Sequence, residues 1–290
     1  VDEAALPEVV RQLRPRVVVL MNLFRDQLDR YGELELLAER WGAMAAGLPA
    51  ATTVVANADD PALAPLAAGR PGSLTFGVDD PAVALPALPH AADSTRCRAC
   101  GQALRYEAVT LGHLGRWACP ACGARRPEPD VRATRVRLDG VRGVGVRIAT
   151  PAGVVEAELP LPGVHNAYNA AAAVAAALAL GVPVASVVRG LGTAAAAFGR
   201  AERVRIDGRE LVLLLAKNPT GANETVRTVL LDPGPLHLLV ALNDRTADGH
   251  DVSWIWDVDY EPLLPRIAAL TLTGDRAHDM ALRFRYAGLD

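Results

Sequence analysis

The chain has 290 residues, 51% of them hydrophobic, and carries a formal net charge of −3 at pH 7. This length suits two domains with enough apolar side chains for real cores. A net negative charge argues against a general binder of polyanions, and no apolar run reaches the ~18 residues that a membrane-spanning helix needs. We therefore expect neither a general nucleic-acid binder nor an integral membrane protein.

Strand-like and helix-like segments alternate from the start of the chain. A β-branched run at 16–23 predicts a buried parallel strand, and the spacing of apolar residues at 31–48 predicts a helix. A strand and turn are expected at 51–61, a short helix at 63–69 and a further strand at 73–80. Such alternation is typical of a doubly wound sheet, which binds ligands at the carboxyl ends of its strands.

A linker rich in Pro and Ala at 81–96 leads to two C-x2-C pairs with 18 residues between them, formed by Cys97, Cys100, Cys119 and Cys122. This spacing fits a four-thiolate site, and soft sulfur ligands favour zinc. Four cysteines leave no open coordination position, so we expect a structural zinc in a ribbon insert at about 92–130. Two disulfides or free thiols are the alternatives.

After the insert the pattern changes to antiparallel pairs. Alternating Val and Arg at 131–159, with two glycine-containing turns, predict antiparallel hairpins. An alanine-rich helix is expected at 162–182 and a shorter helix at 183–194. The segment 197–206 is expected to be the junction between two domains.

The remainder of the chain again alternates between strands and helices. Strands are expected at 210–216, 236–242 and 269–273, and helices at 220–231, 261–269 and 275–287. We therefore expect a central domain at 1–196 and a second, smaller α/β domain at 197–290.

Three segments resemble characteristic stretches of the Mur ligase family of ATP-dependent, amide-forming enzymes. NLFRDQLDRYGE (22–33) resembles the family's signature after a central-domain strand, and GVHNAYNAAAAVAAALALG (163–181) resembles its adenine-contacting helix. AFGRAERV (197–204) resembles the linker whose arginine reaches the nucleotide phosphates. The resemblance implies a Mur ligase-like α/β fold with a central parallel sheet, and ATP and Mg²⁺ as cofactors.

The resemblance also implies roles for single residues. Asp26 and Asp29 would help to hold Mg²⁺, and His165 and Asn166 would meet the adenine edge. From the residues alone, an aspartate could instead cap the next helix, and Asn166 could cap a helix start. Most Mur ligases have a histidine where this chain has Gln27, which removes a metal contact.

Lys217 is the only lysine in the chain. Its ammonium is a compact, mobile charge, unlike the planar fork of arginine, although chance survival of one lysine is the alternative. The corresponding segment of the related ligases faces the nucleotide, which implies that Lys217 stabilises an acyl phosphate and that Asn218 lies at the nucleotide. Arg200 matches the linker arginine, with Arg203 as its rival.

The insert, AKNPTGANE (216–224) and the acidic loop at 243–261 resemble the branch of the family that comprises the synthetase subunits amidating lipid II. This resemblance implies ATP-dependent amidation of the D-glutamate α-carboxylate of the stem peptide, in the cytoplasm at the inner face of the membrane. Ammonia would come from a separate, GatD-like glutaminase subunit. Asp248 or Asp251 would orient that partner's histidine; a solvated loop is the alternative.

A glutaminase needs a nucleophilic cysteine, and every cysteine here belongs to the two pairs, so the glutaminase is expected to be another chain. The chain also has no G-x4-G-K-[ST] phosphate loop. We expect that loop upstream, in a longer protein of which this chain is a piece. Two other functions stay open: a Mur or folylpolyglutamate-type ligase that adds an amino acid, and a zinc-ribbon protein that binds nucleic acid.

Overall fold

The computed structural model describes residues 2–26, 33–194, 200–246 and 248–289. Its strands are β1 (Val17–Leu20), β2 (Thr53–Asn57), β3 (Leu74–Val78), β4 (Arg105–Leu111), β5 (Leu114–Ala118), β6 (Val131–Leu138), β7 (Val144–Thr150), β8 (Gly153–Leu159), β9 (Arg200–Ile206), β10 (Arg209–Leu214), β11 (Leu236–Ala241) and β12 (Ile267–Thr273). Its α-helices are α1 (Leu6–Leu13), α2 (Leu34–Ala46), α3 (Ala64–Ala67), α4 (Val164–Ala179), α5 (Val184–Gly192), α6 (Pro219–Leu231) and α7 (Ala277–Ala287). Short 3-10 helices lie at Pro81–Val83, Gly140–Arg142, Ser253–Asp257 and Glu261–Arg266. Among the helices of these ranges, none is both long enough and apolar enough to cross a membrane.

The central element is a six-stranded sheet with the order β1-β2-β3-β6-β7-β8. The first four strands run parallel, whereas β7 and β8 return antiparallel to their neighbours. The short turns that join β6, β7 and β8 can connect only antiparallel neighbours. The sheet is therefore mixed and not parallel throughout: the parallel sheet expected from the sequence comprises β1, β2, β3 and β6, and the predicted hairpins at 131–159 add β7 and β8 to it.

Helices cover the central sheet on both faces, which accounts for the continuous apolar run of its strands. Val54 and Ala56 of β2 pack in a core with α1 and α2, whereas Val55 packs in the core formed with α4. The face of α4 toward the sheet consists largely of alanines, such as Ala171 and Ala175, both fully buried. These small side chains let the helix lie close to the strands.

The segment between β3 and β6 forms an antiparallel hairpin, β4–β5, that lies outside the central sheet. The tip of the hairpin, 111–114, is buried. At the base, the Trp117 indole donates to the Ala58 carbonyl at 3.1 Å, and the Arg126 guanidinium donates to Asp59 Oδ1 at 2.6 Å. The hairpin is thus held against the loop that follows β2.

The C-terminal part contains two small sheets, the antiparallel pair β9–β10 and the parallel pair β11–β12. Helices α6 and α7 share one apolar core with both 3-10 helices of this part, around the buried Ile255 and Phe284. The helix expected at 261–269 is shorter than predicted, because residues 261–266 form a 3-10 helix and β12 already begins at Ile267. Pro265, inside this segment, lacks the N–H that the interior of an α-helix needs.

The stability of the fold should depend on the buried ion pair between Arg126 and Asp59. Both side chains are almost completely inaccessible to solvent, and burial raises the pKa of Asp59 despite the nearby guanidinium. Arg126→Met leaves this buried carboxyl without its cation, so we expect a loss of about 3–5 kcal/mol in the free energy of unfolding. Urea denaturation measures it. The matched control is Arg125→Met, which replaces the exposed neighbouring arginine. It should change the free energy of unfolding by less than about 0.5 kcal/mol. Equal unfolding midpoints for the two variants would contradict this role.

Candidate active site

A cavity of ≈ 400 Å³ lies between α4, the loop after β1 and the segment that joins β10 to α6. Its walls come from three distant parts of the chain, and the residues that the sequence singled out there are Asp26, His165, Asn166, Lys217 and Asn218. The structure therefore brings five of the predicted site residues to one place.

One wall of the cavity is the first turn of α4. Helix α4 begins after Gly163, whose φ of 92° lies in the left-handed region that favours glycine. In the first turn, Asn166 Nδ2 donates to the Pro162 carbonyl at 2.7 Å and lies 3.1 Å from His165 Nε2. Asn169, one turn on, donates to Asn166 Oδ1 at 3.0 Å. These neighbours hold the Asn166 side chain on the cavity side of the helix. The N-cap residue of α4 is Gly163, so Asn166 does not have the capping role that was its alternative.

The opposite wall follows the end of β10. Lys217 lies between this strand and α6, and Asn218 is the N-cap residue of α6, where its Oδ1 accepts from the Gly221 N–H at 2.7 Å. An asparagine at this position satisfies a backbone donor of the first helical turn. The Asn218 side chain therefore fixes the turn that carries Lys217, and it also lines the cavity.

The third wall is the loop at the carboxyl end of β1, which carries Asp26. The Leu23 N–H donates to Asp60 Oδ2 at 2.9 Å, and Asn57 Nδ2 donates to the Met21 carbonyl at 2.9 Å. Arg25 pairs with Asp93 and lies 3.2 Å from Asp257 Oδ2 of the acidic loop. The end of β1 is thus tied to the end of β2, to the insert and to the C-terminal part.

The acidic loop places its two candidate aspartates differently. Asp251 lines a smaller cavity of ≈ 80 Å³ that also contacts Asp26, Lys217 and Asn218. The Ser253 hydroxyl and the Ser253 N–H, which donates to Asp251 Oδ1 at 2.8 Å, both lower the pKa of Asp251 by hydrogen bonding to its carboxylate. Asp248 lies in the preceding turn, where its N–H donates to the Arg245 carbonyl at 2.8 Å. Asp251 is therefore the aspartate adjacent to the main cavity.

Three predicted positions cannot be followed in the same way. Gln27 and Asp29 lie outside the described residues, as does the side chain of Arg200. The backbone of Arg200 pairs with Leu214 in the β9–β10 hairpin, close to the Lys217 segment. Its rival Arg203 pairs with Glu210 and donates to the Val141 carbonyl at 3.0 Å.

The four cysteines form a separate cluster at the base of the β4–β5 hairpin. The sulfur atoms of Cys97, Cys100, Cys119 and Cys122 all lie within 4.8 Å of one another. The Sγ–Sγ distances of 3.5 and 3.6 Å are far longer than a disulfide bond of about 2.05 Å. In each pair the glycine that follows the second cysteine donates its N–H to the carbonyl of the first cysteine, at 2.7 and 3.0 Å. The two turns are equivalent, and the cluster could hold one metal ion.

Sequence reasoning missed Glu224 of α6, which is 4% exposed. Its Oε1 accepts from the Val164 N–H at 2.6 Å, and burial raises the pKa of this carboxyl to about 7 although Arg227 lies nearby and lowers it. The only local sign of it in the sequence is the spacing of Glu224 and Arg227, which places a carboxylate and a cation three residues apart on one helix face.

Comparisons with known proteins agree with the order of these elements. The family model described as Mur ligase middle domain matches residues 2–116, and the model described as MurT ligase C-terminal matches residues 215–290. The chain is 34% identical over 290 residues to the MurT subunit of the glutamine-hydrolyzing lipid II isoglutaminyl synthase of Streptococcus pneumoniae, covering 99% of this chain and 63% of that protein. It is 28% identical over 291 residues to the MurT subunit of Staphylococcus aureus, covering 100% of this chain and 64% of that protein.

Solved structures show the same fold. A pseudomurein peptide ligase type C from Methanothermus fervidus superposes with a TM-score of 0.71 at 22% identity, over 94% of this chain and 55% of the ligase. A MurF from Acinetobacter baumannii superposes with a TM-score of 0.64 at 19% identity, over 97% and 51% of the two chains. The chain thus spans less than two thirds of the curated relatives it matches. It belongs to the Mur ligase family, with a C-terminal segment of the MurT ligase type.

Proposed function

We propose that the protein to which this chain belongs is an ATP-dependent ligase that amidates the D-glutamate α-carboxylate of the lipid II stem peptide. The cavity that joins Asp26, His165, Asn166, Lys217 and Asn218 carries this proposal. The similarity to MurT subunits along nearly the whole chain supports the choice of substrate and of ammonia as the nucleophile.

The residues around the cavity suit a nucleotide and its metal ion. The Asn166 amide carries the kinds of donor and acceptor group that an adenine edge requires, and it would exchange its present contacts with His165 and Asn169 for the nucleotide. The Asp26 carboxylate supplies the oxygen ligand that Mg²⁺ prefers. Bound Mg²⁺ would neutralise charge on the phosphates. These side chains lie on two walls of the cavity, which leaves the third wall, with Lys217, for the reacting groups.

The chemistry proceeds in two steps. A carboxylate oxygen of the substrate attacks the γ-phosphorus of ATP, which releases ADP and leaves an acyl phosphate. Ammonia then attacks the acyl carbon, phosphate leaves, and the nitrogen loses a proton to give the amide. Lys217 stabilises the negative charge on the phosphoryl group in both steps. Its ammonium interacts with a developing anion electrostatically and forms no covalent bond to it. Asn218 keeps the turn that carries Lys217 in place.

The cysteine cluster is proposed to hold a structural zinc ion. Four thiolates at the observed separations suit tetrahedral coordination at Zn–S distances of about 2.3 Å. No fifth group is needed, so the ion would stabilise the hairpin base and take no part in the reaction.

Ammonia is proposed to come from a GatD-like glutaminase subunit, with the reaction at the cytoplasmic face of the membrane. The four cysteines of this chain form the cluster, so the thiol that hydrolyses glutamine would have to lie outside this chain. Asp248 is the better candidate to orient the partner's histidine, because Asp251 lies beside the Lys217 cavity.

Lys217→Ala in the full-length protein should lower the rate of amidation from ammonium chloride by about 10²- to 10³-fold, since one preorganised charge is lost. Lys217→Arg should restore only part of the rate, because a guanidinium needs more room. The control is Arg209→Ala, on the exposed end of the same hairpin. Turnover by Lys217→Ala close to that of the control would remove Lys217 from the mechanism.

Metal analysis of the purified protein should find one zinc ion per chain. Cys97→Ser should lose the ion and lower the unfolding temperature, because structural zinc contributes directly to folding. Elemental analysis and thermal unfolding provide the two measurements. A protein that is folded and free of metal, with its cysteines reduced or paired in disulfides, would show that the cluster is not a zinc site.

The roles of Asp248 and Asp251 should be distinguishable when glutamine and ammonium chloride are compared as nitrogen sources. Asp248→Asn should lower glutamine-dependent amidation and leave ammonia-dependent amidation unchanged, since the amide keeps the shape but cannot hold a histidine tautomer as a carboxylate does. Asp251→Asn should lower both reactions, because Asp251 adjoins the Lys217 cavity. An unchanged ratio of the two rates for Asp248→Asn would mean that this loop does not serve the glutaminase.

A further inference from the structure

Helix α4 receives a cap from a distant part of the chain. The first N–H groups of a helix have no partner within it, and the N-cap residue of α4 is Gly163, which has no side chain. The Val164 N–H donates instead to Glu224 Oε1 at 2.6 Å, across 60 residues of sequence. A carboxylate at this end also matches the partial positive charge of the helix N-terminus.

The same face of α6 contacts the central domain at two further points. Arg227 donates to the Thr110 carbonyl at 3.1 Å and to the Val83 carbonyl at 2.7 Å. Gly112, at the tip of the β4–β5 hairpin, packs so closely that an added Cβ would lie 3.0 Å from Thr220 Cγ2. Residues 220, 224 and 227 share one helix face. Helix α6 is therefore fixed to the central domain along this face.

These contacts lie directly behind the candidate active site. The first turn of α4 carries His165 and Asn166, and α6 begins one residue after Asn218, beside Lys217. The Glu224 side chain therefore links the element that carries one wall of the cavity to the element that carries the opposite wall.

We propose that Glu224 is a positioning residue: by capping α4 from within α6, it sets the separation between the His165–Asn166 wall and the Lys217–Asn218 wall. This assignment rests on the proposed function of the cavity as the site of ATP-dependent amidation. Glu224 itself is not among the residues that line the cavity, and its buried carboxyl contacts the first turn of α4. Its effect on the reaction acts through the placement of the two walls.

The structural part of the proposal is tested by hydrogen exchange in the full-length protein. In Glu224→Ala the Val164 amide loses its acceptor, so its exchange should accelerate by roughly tenfold, as expected for loss of a helix cap. Glu224→Gln keeps an oxygen at the same position and should preserve most of the protection. Glu224→Asp keeps the charge on a shorter side chain and should not, which also supplies a second variant if Glu224→Ala fails to fold.

The matched control is Val226→Ala, in the apolar core of the C-terminal part on the same helix. This variant should lower the stability of that core and leave the protection of the Val164 amide unchanged. Equal protection of Val164 in the wild type, Glu224→Ala and Glu224→Asp would overturn the proposal, and so would equal loss of protection in Glu224→Ala and Val226→Ala.

The functional part is tested by amidation with ammonium chloride at varied ATP concentration. Glu224→Ala should raise the KM for ATP and lower kcat, with a combined loss of roughly 10- to 100-fold, because a small misplacement of reacting groups is costly. Glu224→Gln should recover most of that loss, and Val226→Ala should retain the wild-type KM. Equal kcat and KM for the Glu224→Ala and Val226→Ala variants would refute the positioning role. A wild-type protein without ATP-dependent amidation would instead refute the proposed function, while the exchange measurement would still decide whether Glu224 caps α4.

Discussion

The buried carboxylate of Asp59 joins four parts of the molecule. At the carboxyl end of β2 it accepts from Arg126 of the cysteine insert and from Tyr168 of α4, both at 2.6 Å, and from the Val78 N–H of β3 at 3.0 Å. A carboxylate inaccessible to water is tolerated only when its oxygens are fully used. These hydrogen bonds therefore fix the insert, the central sheet and the alanine-rich helix relative to one another. The cavity wall that α4 carries is fixed by the same contacts.

The candidate active site lies between elements of the central sheet region and elements of the C-terminal part, and polar contacts connect the two. Glu224 holds α6 to α4, and Arg25 joins the end of β1 to both the insert and the acidic loop. Interfaces between domains are common places for ligand sites, because each side contributes part of the lining. The proposed chemistry requires that arrangement, since the side chains proposed to bind the nucleotide and Lys217 come from different sides of the junction.

The sequence predicted local structure well and long-range association poorly. Some features could be predicted because a local sequence pattern produces them. Examples are the β-branched run of β1, the alanines of α4 and the close approach of the four cysteines. No local pattern indicates that β6, β7 and β8 extend the same sheet as β1, since strand order depends on tertiary packing. The early end of the helix predicted at 261–269 could have been predicted, because Pro265 interrupts it. Glu224 escaped attention because a single carboxylate on a helix resembles a solvent-exposed residue until its partner across 60 residues is known.

The central claim is that this cavity activates a substrate carboxylate by phosphorylation. It is tested most directly with lipid II-type substrate labelled with ¹⁸O in the D-glutamate α-carboxylate, incubated with the full-length protein, ATP and ammonium chloride. If an acyl phosphate forms, one labelled oxygen should move from the substrate to the released phosphate. Amide formation accompanied by unlabelled phosphate would contradict the account.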